Sequence, residues 1–193
     1  MNKKPHEDHI YIEALLKNNS RVLSKIYEKF SHKIVSYVRN NNGNSDDAQD
    51  IIQETLVTIY HQAKEKNFIL TCPFDAYFYL LCKRRWLNEL KKRGHNRVTI
   101  LEDDTSITEE QEQQVEETEI FEKQSQLFES KFKELGAKCQ ELLKTTFKIK
   151  SMEKVAEILG VTYGYARKKK SQCMEKLTQL VKNSNEFRQL KAY

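Results

Sequence analysis

The sequence predicts an all-α protein built as two small helical domains. Three observations carry this reading. Apolar residues recur at helical spacing, and no stretch alternates as a half-buried strand would. Four of the five glycines fall where a helix is expected to end. A run without any apolar period, rich in Glu, Gln and Thr, separates two helical sets and reads as a linker. The expected parts are a first domain over 7–97, a flexible acidic linker over 98–118, a second domain over 119–183 and a tail over 184–193. With 193 residues the chain can bury one sizeable core or two small ones.

Residues 1–6 read as a frayed terminus, and His6 and His9 as solvent-exposed rather than as metal ligands. Ile10, Leu15 and Leu16 suggest a short first helix, which Asn18 and Asn19 break and after which Ser20 caps the next. Val22, Ile26, Tyr27, Phe30, Ile34, Tyr37 and Val38 mark one face of a long amphipathic helix. Residues 40–44, with Gly43, make its turn. Ser45 is expected to cap the following helix, with Asp46 and Asp47 in the first turn, where the helix dipole favours carboxylates. Ala48, Ile51 or Ile52, Thr55 or Leu56, and Ile59 form its inner face, leaving Asp47, Asp50, Gln53, Glu54 and Thr58 outside. Residues 61–73 read as a loop ending at Pro73, which suits a helix first turn. In the next helix Phe74, Phe78, Leu81, Leu87 and Leu90 are apolar, and Gly94 ends it. Tyr77, Tyr79 and Trp86 are interleaved with Lys83, Arg84, Arg85, Lys91 and Lys92. Rings amid cations suit single-stranded nucleic acid, which needs a positive track and faces for unstacked bases. The competing reading makes Tyr77 and Trp86 core residues.

Charge is modest in sum and uneven in place. Lys and Arg exceed Asp and Glu by 33 to 28. Residues 83–97 hold seven cations, the last of them Arg97, against Glu89 alone, whereas 102–119 hold nine carboxylates and no cation. Two basic blocks around an acidic one suggest two polyanion-binding surfaces. Cys72, Cys82, Cys139 and Cys173 form no CxxC pair and are expected to be buried thiols of a reducing cytoplasm. There is no signal-peptide pattern and no apolar run of membrane-spanning length. The expectation is a cytoplasmic protein without membrane insertion.

Ile120, Phe121, Leu127, Phe128, Phe132 and Leu135 open the second helical set. Gly136 turns it, and Cys139, Leu142, Leu143 and Phe147 mark the next helix. Residues 152–180 then read as a helix-turn-helix. Val155, Ala156 and Leu159 line a short helix that Ser151 caps and Gly160 ends; Thr162 caps a second. Tyr163, Tyr165 and the cations Arg167, Lys168, Lys169 and Lys170 lie at its front, with Ala166, Cys173, Leu177 and Leu180 inside. A second helix of this kind docks in a DNA major groove. The bland alternative is a solvated basic face.

Together these stretches resemble the extracytoplasmic-function (ECF) group of bacterial sigma factors, in the sigma-70 family. DDAQDIIQETLVTIY (46–60) is similar to the family's polymerase-binding helix of region 2, and FDAYFYLLCKRRWLNELKKR (74–93) to the helix that handles the −10 element. Residues 134–180 are similar to region 4, which reads the −35 element. The resemblance implies a non-enzymatic factor, without catalytic residues, metal or cofactor, that binds core RNA polymerase, directs it to promoter DNA and helps open the −10 region. It leaves room for an anti-sigma partner. Asp47, Asp50, Gln53 and Glu54 would meet core polymerase. Tyr77, Lys83, Arg84, Arg85, Trp86 and Lys91 would engage the −10 strand, with the 61–73 loop shaping a pocket for an extruded base. Tyr165, Arg167, Lys168, Lys169, Ser171 and Gln172 would face the −35 groove. Two positions depart from the family pattern: many members carry Asn at Arg84 and an apolar residue at Lys170. The alternatives are a polymerase-independent helix-turn-helix regulator dimerising through its N-terminal helices, and a metal-dependent nuclease supported only by the acidic cluster at 46–54.

Overall fold

Nine helices and their connections account for the described part of the chain, with no strand among the described residues. The computed structural model describes residues 4–94 and 107–190. Arg97 and the 98–106 part of the expected linker lie outside the described residues. The chain divides into two compact units, residues 1–119 and 120–193.

The first unit contains α1 (His9–Leu16), α2 (Ser20–Asn40), α3 (Ser45–Lys66), α4 (Phe74–Lys92) and the beginning of α5 (Glu109–Lys133). The periodic faces read from the sequence meet here: Ile26, Phe30, Ile34, Tyr37 and Val38 of α2 pack with Ile51, Ile52, Leu56 and Ile59 of α3 and Phe74, Phe78, Leu81 and Leu90 of α4. Burying each such side chain stabilises the fold by roughly 1.5–3 kcal/mol. Gly43, in the α2–α3 turn, sits where a side chain has no room. A Cβ there would lie 2.4 Å from Val38 and 2.6 Å from the Trp86 ring.

Several local expectations are corrected. The cap of α2 is Asn19, whose side chain accepts the Val22 N–H, and the cap of α3 is Asn44; Ser20 and Ser45 are the first helical residues. At Asn44 the caps are reciprocal: its Oδ1 accepts the Asp47 N–H at 2.8 Å, and an Asp47 oxygen accepts the Asn44 N–H at 2.9 Å. Helix α3 continues to Lys66, so the expected loop shrinks to residues 67–73. In that segment Phe68, Leu70 and Cys72 are turned inward. Of the segment expected to be frayed, residues 1–3 lie outside the described residues, and His6 is tied down together with Asp8 and His9. His6 donates its N–H to the Leu70 carbonyl, His9 Nδ1 accepts the Leu70 N–H, and Asp8 accepts the Phe74 N–H at 3.0 Å. Pro73 stands at the cap position of α4 and has no side-chain acceptor, so Asp8 supplies one from across the fold.

The largest correction concerns residues 109–118. They were expected to be flexible linker; they are the start of α5, and they pack on the first unit. Val115 is fully buried, and Gln114 and Thr118 are buried with it. Both polar side chains are satisfied by partners distant in sequence, as burial demands. No local period in 109–118 could reveal those partners.

The second unit holds the rest of α5, α6 (Ala137–Lys148), α7 (Met152–Ile158), α8 (Tyr163–Lys182) and α9 (Asn185–Leu190). Its core joins Phe132, Leu135, Leu142, Leu143, Val155, Cys173 and Leu177. The Gln140 side-chain amide donates to the carbonyls of Lys133 and Leu135, closing the α5–α6 turn. The stretch expected to be a tail carries α9, whose first turn Ser184 caps by accepting the Phe187 N–H. The cysteines divide in a way the sequence reading did not anticipate. Cys139 of α6 and Cys173 of α8 are joined as a disulfide, their Cα atoms 5.5 Å apart, while Cys72 and Cys82 are buried thiols. Both bonded residues lie where α6 packs against α8, an adjacency that a separation of 34 residues conceals.

Candidate nucleic-acid interface

In the second unit the candidate surface is the front of α8. Helix α7 closes with a Schellman pattern: Val161 N–H bonds the Ala156 carbonyl, Gly160 N–H bonds the Glu157 carbonyl, and Gly160 takes φ +63°. Thr162 then caps α8 by accepting the Tyr165 N–H at 3.3 Å. Ala166 is fully buried and Ala156 nearly so, which lets α7 and α8 approach closely. Tyr163, Tyr165, Arg167, Lys168, Ser171 and Gln172 are exposed. The Arg167 guanidinium lies over the Tyr163 ring, 5.6 Å from its centroid. Of the four consecutive cations, Arg167 and Lys168 are exposed and Lys169 and Lys170 half-buried. Nothing lies within 4 Å of a Cβ placed on Gly164, so this end of the helix is open.

In the first unit the acidic stripe of α3 and the basic stripe of α4 are neighbours. Asp50, Gln53 and Glu54 are exposed; Asp47 is half-buried. One Asp47 oxygen accepts from Arg93 at 2.9 Å. That hydrogen bond, with the Asn44 N–H, holds the Asp47 carboxyl below its ordinary pKa against a small opposing desolvation. Glu54 pairs with Arg85 at 3.0 Å, and Arg85 also donates to Thr58 Oγ1 at 2.9 Å. Lys83 lies over the Tyr37 ring at 5.6 Å. Burial, with Tyr79 beside it, pushes the Tyr37 phenol up to about 12. Lys91 is exposed.

Tyr77 and Trp86 do not offer the open ring faces that a strand platform needs, which corrects that expectation. Trp86 is fully buried, its Nε1–H donating to the Asn41 carbonyl at 3.0 Å. Tyr77 is fully buried too, stacked on Phe68 with centroids 5.6 Å apart, and its hydroxyl meets Thr118 Oγ1 at 2.8 Å. Burial pushes its phenol far up. Periodicity placed both residues on α4 but could not say that other elements would close over them. Arg84 is partly covered and pairs with Glu119 at 3.4 Å and Glu112 at 3.7 Å.

The same segment of α5 supplies two polar residues that the sequence reading missed. Gln114 brackets the 67–73 segment: its Nε2 donates to the Ile69 carbonyl at 2.8 Å, and its Oε1 accepts from Thr71 N–H at 3.0 Å and from the Cys72 thiol at 3.2 Å. Burial raises the Cys72 thiol to about 11, so it stays protonated and can donate. Thr118 donates to Gln62 Oε1 at 2.8 Å and has one proton to give, so the Tyr77 hydroxyl donates to it.

This unit joins a polar-faced helix, a following cationic helix and the connecting segment 67–73 between them. Residues 26–96, from within α2 to beyond α4, match the family model of sigma-70 region 2. The first unit is similar to sigma-70 region 2. No curated protein matches the sequence. The region 2 match supports a sigma-70 family factor acting in promoter-directed transcription initiation, and it spans the acidic stripe of α3 and all of α4. Among the described residues no group of His, Cys, Asp and Glu could hold a metal ion, and no helix is long and apolar enough to cross a membrane.

Proposed function

We propose that this chain is a sigma factor of the ECF group, working in the cytoplasm. It binds core RNA polymerase through the exposed stripe Asp50, Gln53 and Glu54 on α3, with Asp47 beside it. Lys83, Arg84, Arg85 and Lys91 on α4 receive the −10 strand, and Tyr165, Arg167, Lys168, Lys169, Ser171 and Gln172 on α8 read the −35 duplex. The observation that carries this reading is the region 2 match, joined to a separate unit whose capped helix presents cations outward.

The residues supply no covalent chemistry in this scheme. They supply positive charge for phosphate contacts, which dominate affinity and make it salt-dependent. Extruding a base costs a few kcal/mol. With Trp86 buried against Asn41, that ring is an anchor for α4, and it sets the position of Arg84 and Arg85 in the same turn. Polymerase contacts must then offset most of the extrusion cost, so the free chain binds promoters weakly. An anti-sigma partner would act by covering one of these faces.

The test is reconstitution with core polymerase on genomic DNA, followed by sequencing of transcript starts. The reading requires starts that appear only with both components and share upstream elements. Tight operator binding by the chain alone, with no polymerase-dependent starts, would instead establish a polymerase-independent regulator.

A further inference from the structure

We propose that residues 109–119 are an acidic lid that covers Arg84 on the strand-handling face of the first unit and must move before a DNA strand can take that cation. This rests on the proposed role of Arg84 in receiving the strand. The segment covers that guanidinium and ties itself to the unit through the buried Tyr77 hydroxyl and the 67–73 backbone. Glu112 and Glu119 pair with Arg84, Thr118 seals the Tyr77 hydroxyl, and Gln114 occupies the backbone of Ile69 and Thr71. The carboxylates give the guanidinium what phosphates would give it.

The covering contacts suit a segment that opens. Val115 is its one apolar residue in the core of this unit; the remaining anchors are hydrogen bonds and two partly exposed ion pairs. Exposed pairs are weak and salt-screened, and a polyanion competes for the same cation. A strand that binds only the open form has its apparent affinity reduced by the open fraction. Closure thus suppresses binding of stray single strands by the free chain.

The experiment measures binding of a short fluorescein-labelled single strand of mixed sequence to the full-length chain by anisotropy at low salt. Glu112→Gln with Glu119→Gln frees Arg84. Gln114→Ala with Thr118→Ala removes the anchors without changing charge. Glu109→Gln with Glu116→Gln matches the first variant in charge and leaves the Arg84 pairs intact. The lid requires affinity to rise about tenfold in the first two variants and by less than about twofold in the third. An equal rise in all three would reduce the effect to bulk charge, and no rise in the first two would leave nothing for a lid to do; either overturns the proposal. The first variant alters exposed or half-exposed side chains and stays informative if the anchor variant unfolds. Permanganate footprinting of wild type with core polymerase is run in parallel. An opened promoter there, with no gain in the free variants, defeats the lid alone; an unopened promoter defeats the sigma-factor reading.

Discussion

Arg93 Nη2 lies 2.9 Å from one carboxylate oxygen of Asp47, whose other oxygen accepts the Asn44 N–H that opens α3. One side chain therefore both caps α3 and binds the end of α4. A residue expected to face a partner is engaged within its own fold.

Removing that carboxylate should destabilise the first unit. Asp47→Asn should cost about 1 kcal/mol at neutral pH, the usual loss for a helix cap. The folded pKa of Asp47 lies below its unfolded value of 3.8. Its contribution is therefore complete above that value and fades as pH falls through the lower folded one. Urea unfolding should separate wild type from the variant at pH 7 and bring them together in strong acid. A constant difference at all pH values would remove the charge from the account.

Gly43 and Trp86 should behave as a coupled pair. Gly43→Ala forces a Cβ into Val38 and the Trp86 ring, at an expected cost of about 1–3 kcal/mol. Trp86→Ala should cost about 3–5 kcal/mol. In the double variant the alanine methyl gains room, so the losses should add to less than their sum by more than about 0.5 kcal/mol. Circular dichroism during denaturation measures all three. Simple additivity would mean that the turn moves away from the ring.

On the exposed stripe of α3, Glu54→Lys should weaken core-polymerase binding at least tenfold, about 1.4 kcal/mol. Its loss of the Arg85 pair should change stability by no more than about 1 kcal/mol. Pull-down and thermal melting read the two effects separately. Retained polymerase binding would move the contact off this face.

Arg167 and Lys168 should differ in kind. Arg167→Ala should cost about 1–3 kcal/mol and relax promoter discrimination if the guanidinium reads a base edge. Lys168→Ala should weaken all sequences alike and lower the salt slope by about one. Binding titrations across salt, with promoter and scrambled duplexes, distinguish them.

The Cys139–Cys173 bond ties α6 to α8 across the intervening helix α7. Reduction should lower the stability of the second unit by about 2–4 kcal/mol. A Cys139→Ala, Cys173→Ala variant should melt like the reduced wild type and ignore dithiothreitol. A melting temperature insensitive to reductant would make the pairing immaterial to the fold.

The amino-acid order by itself determined the all-α class, the inward faces of α2 and α3, the Phe74, Phe78, Leu81 and Leu90 stripe of α4, and the cap, glycine turn and cationic front of the α7–α8 motif. These are decided by neighbours within one or two helical turns, where side-chain spacing and backbone preference act directly. Only the tertiary structure decided that Asp8 caps α4 from 66 residues away, that Gln114 and Thr118 turn an acidic stretch into a packed helix, that Trp86 and Tyr77 face inward, and that Cys139 meets Cys173. In each case the deciding group sits far along the chain. A polar or aromatic side chain is stable inside once a distant donor, acceptor or apolar wall reaches it, and no local pattern records which distant group that will be.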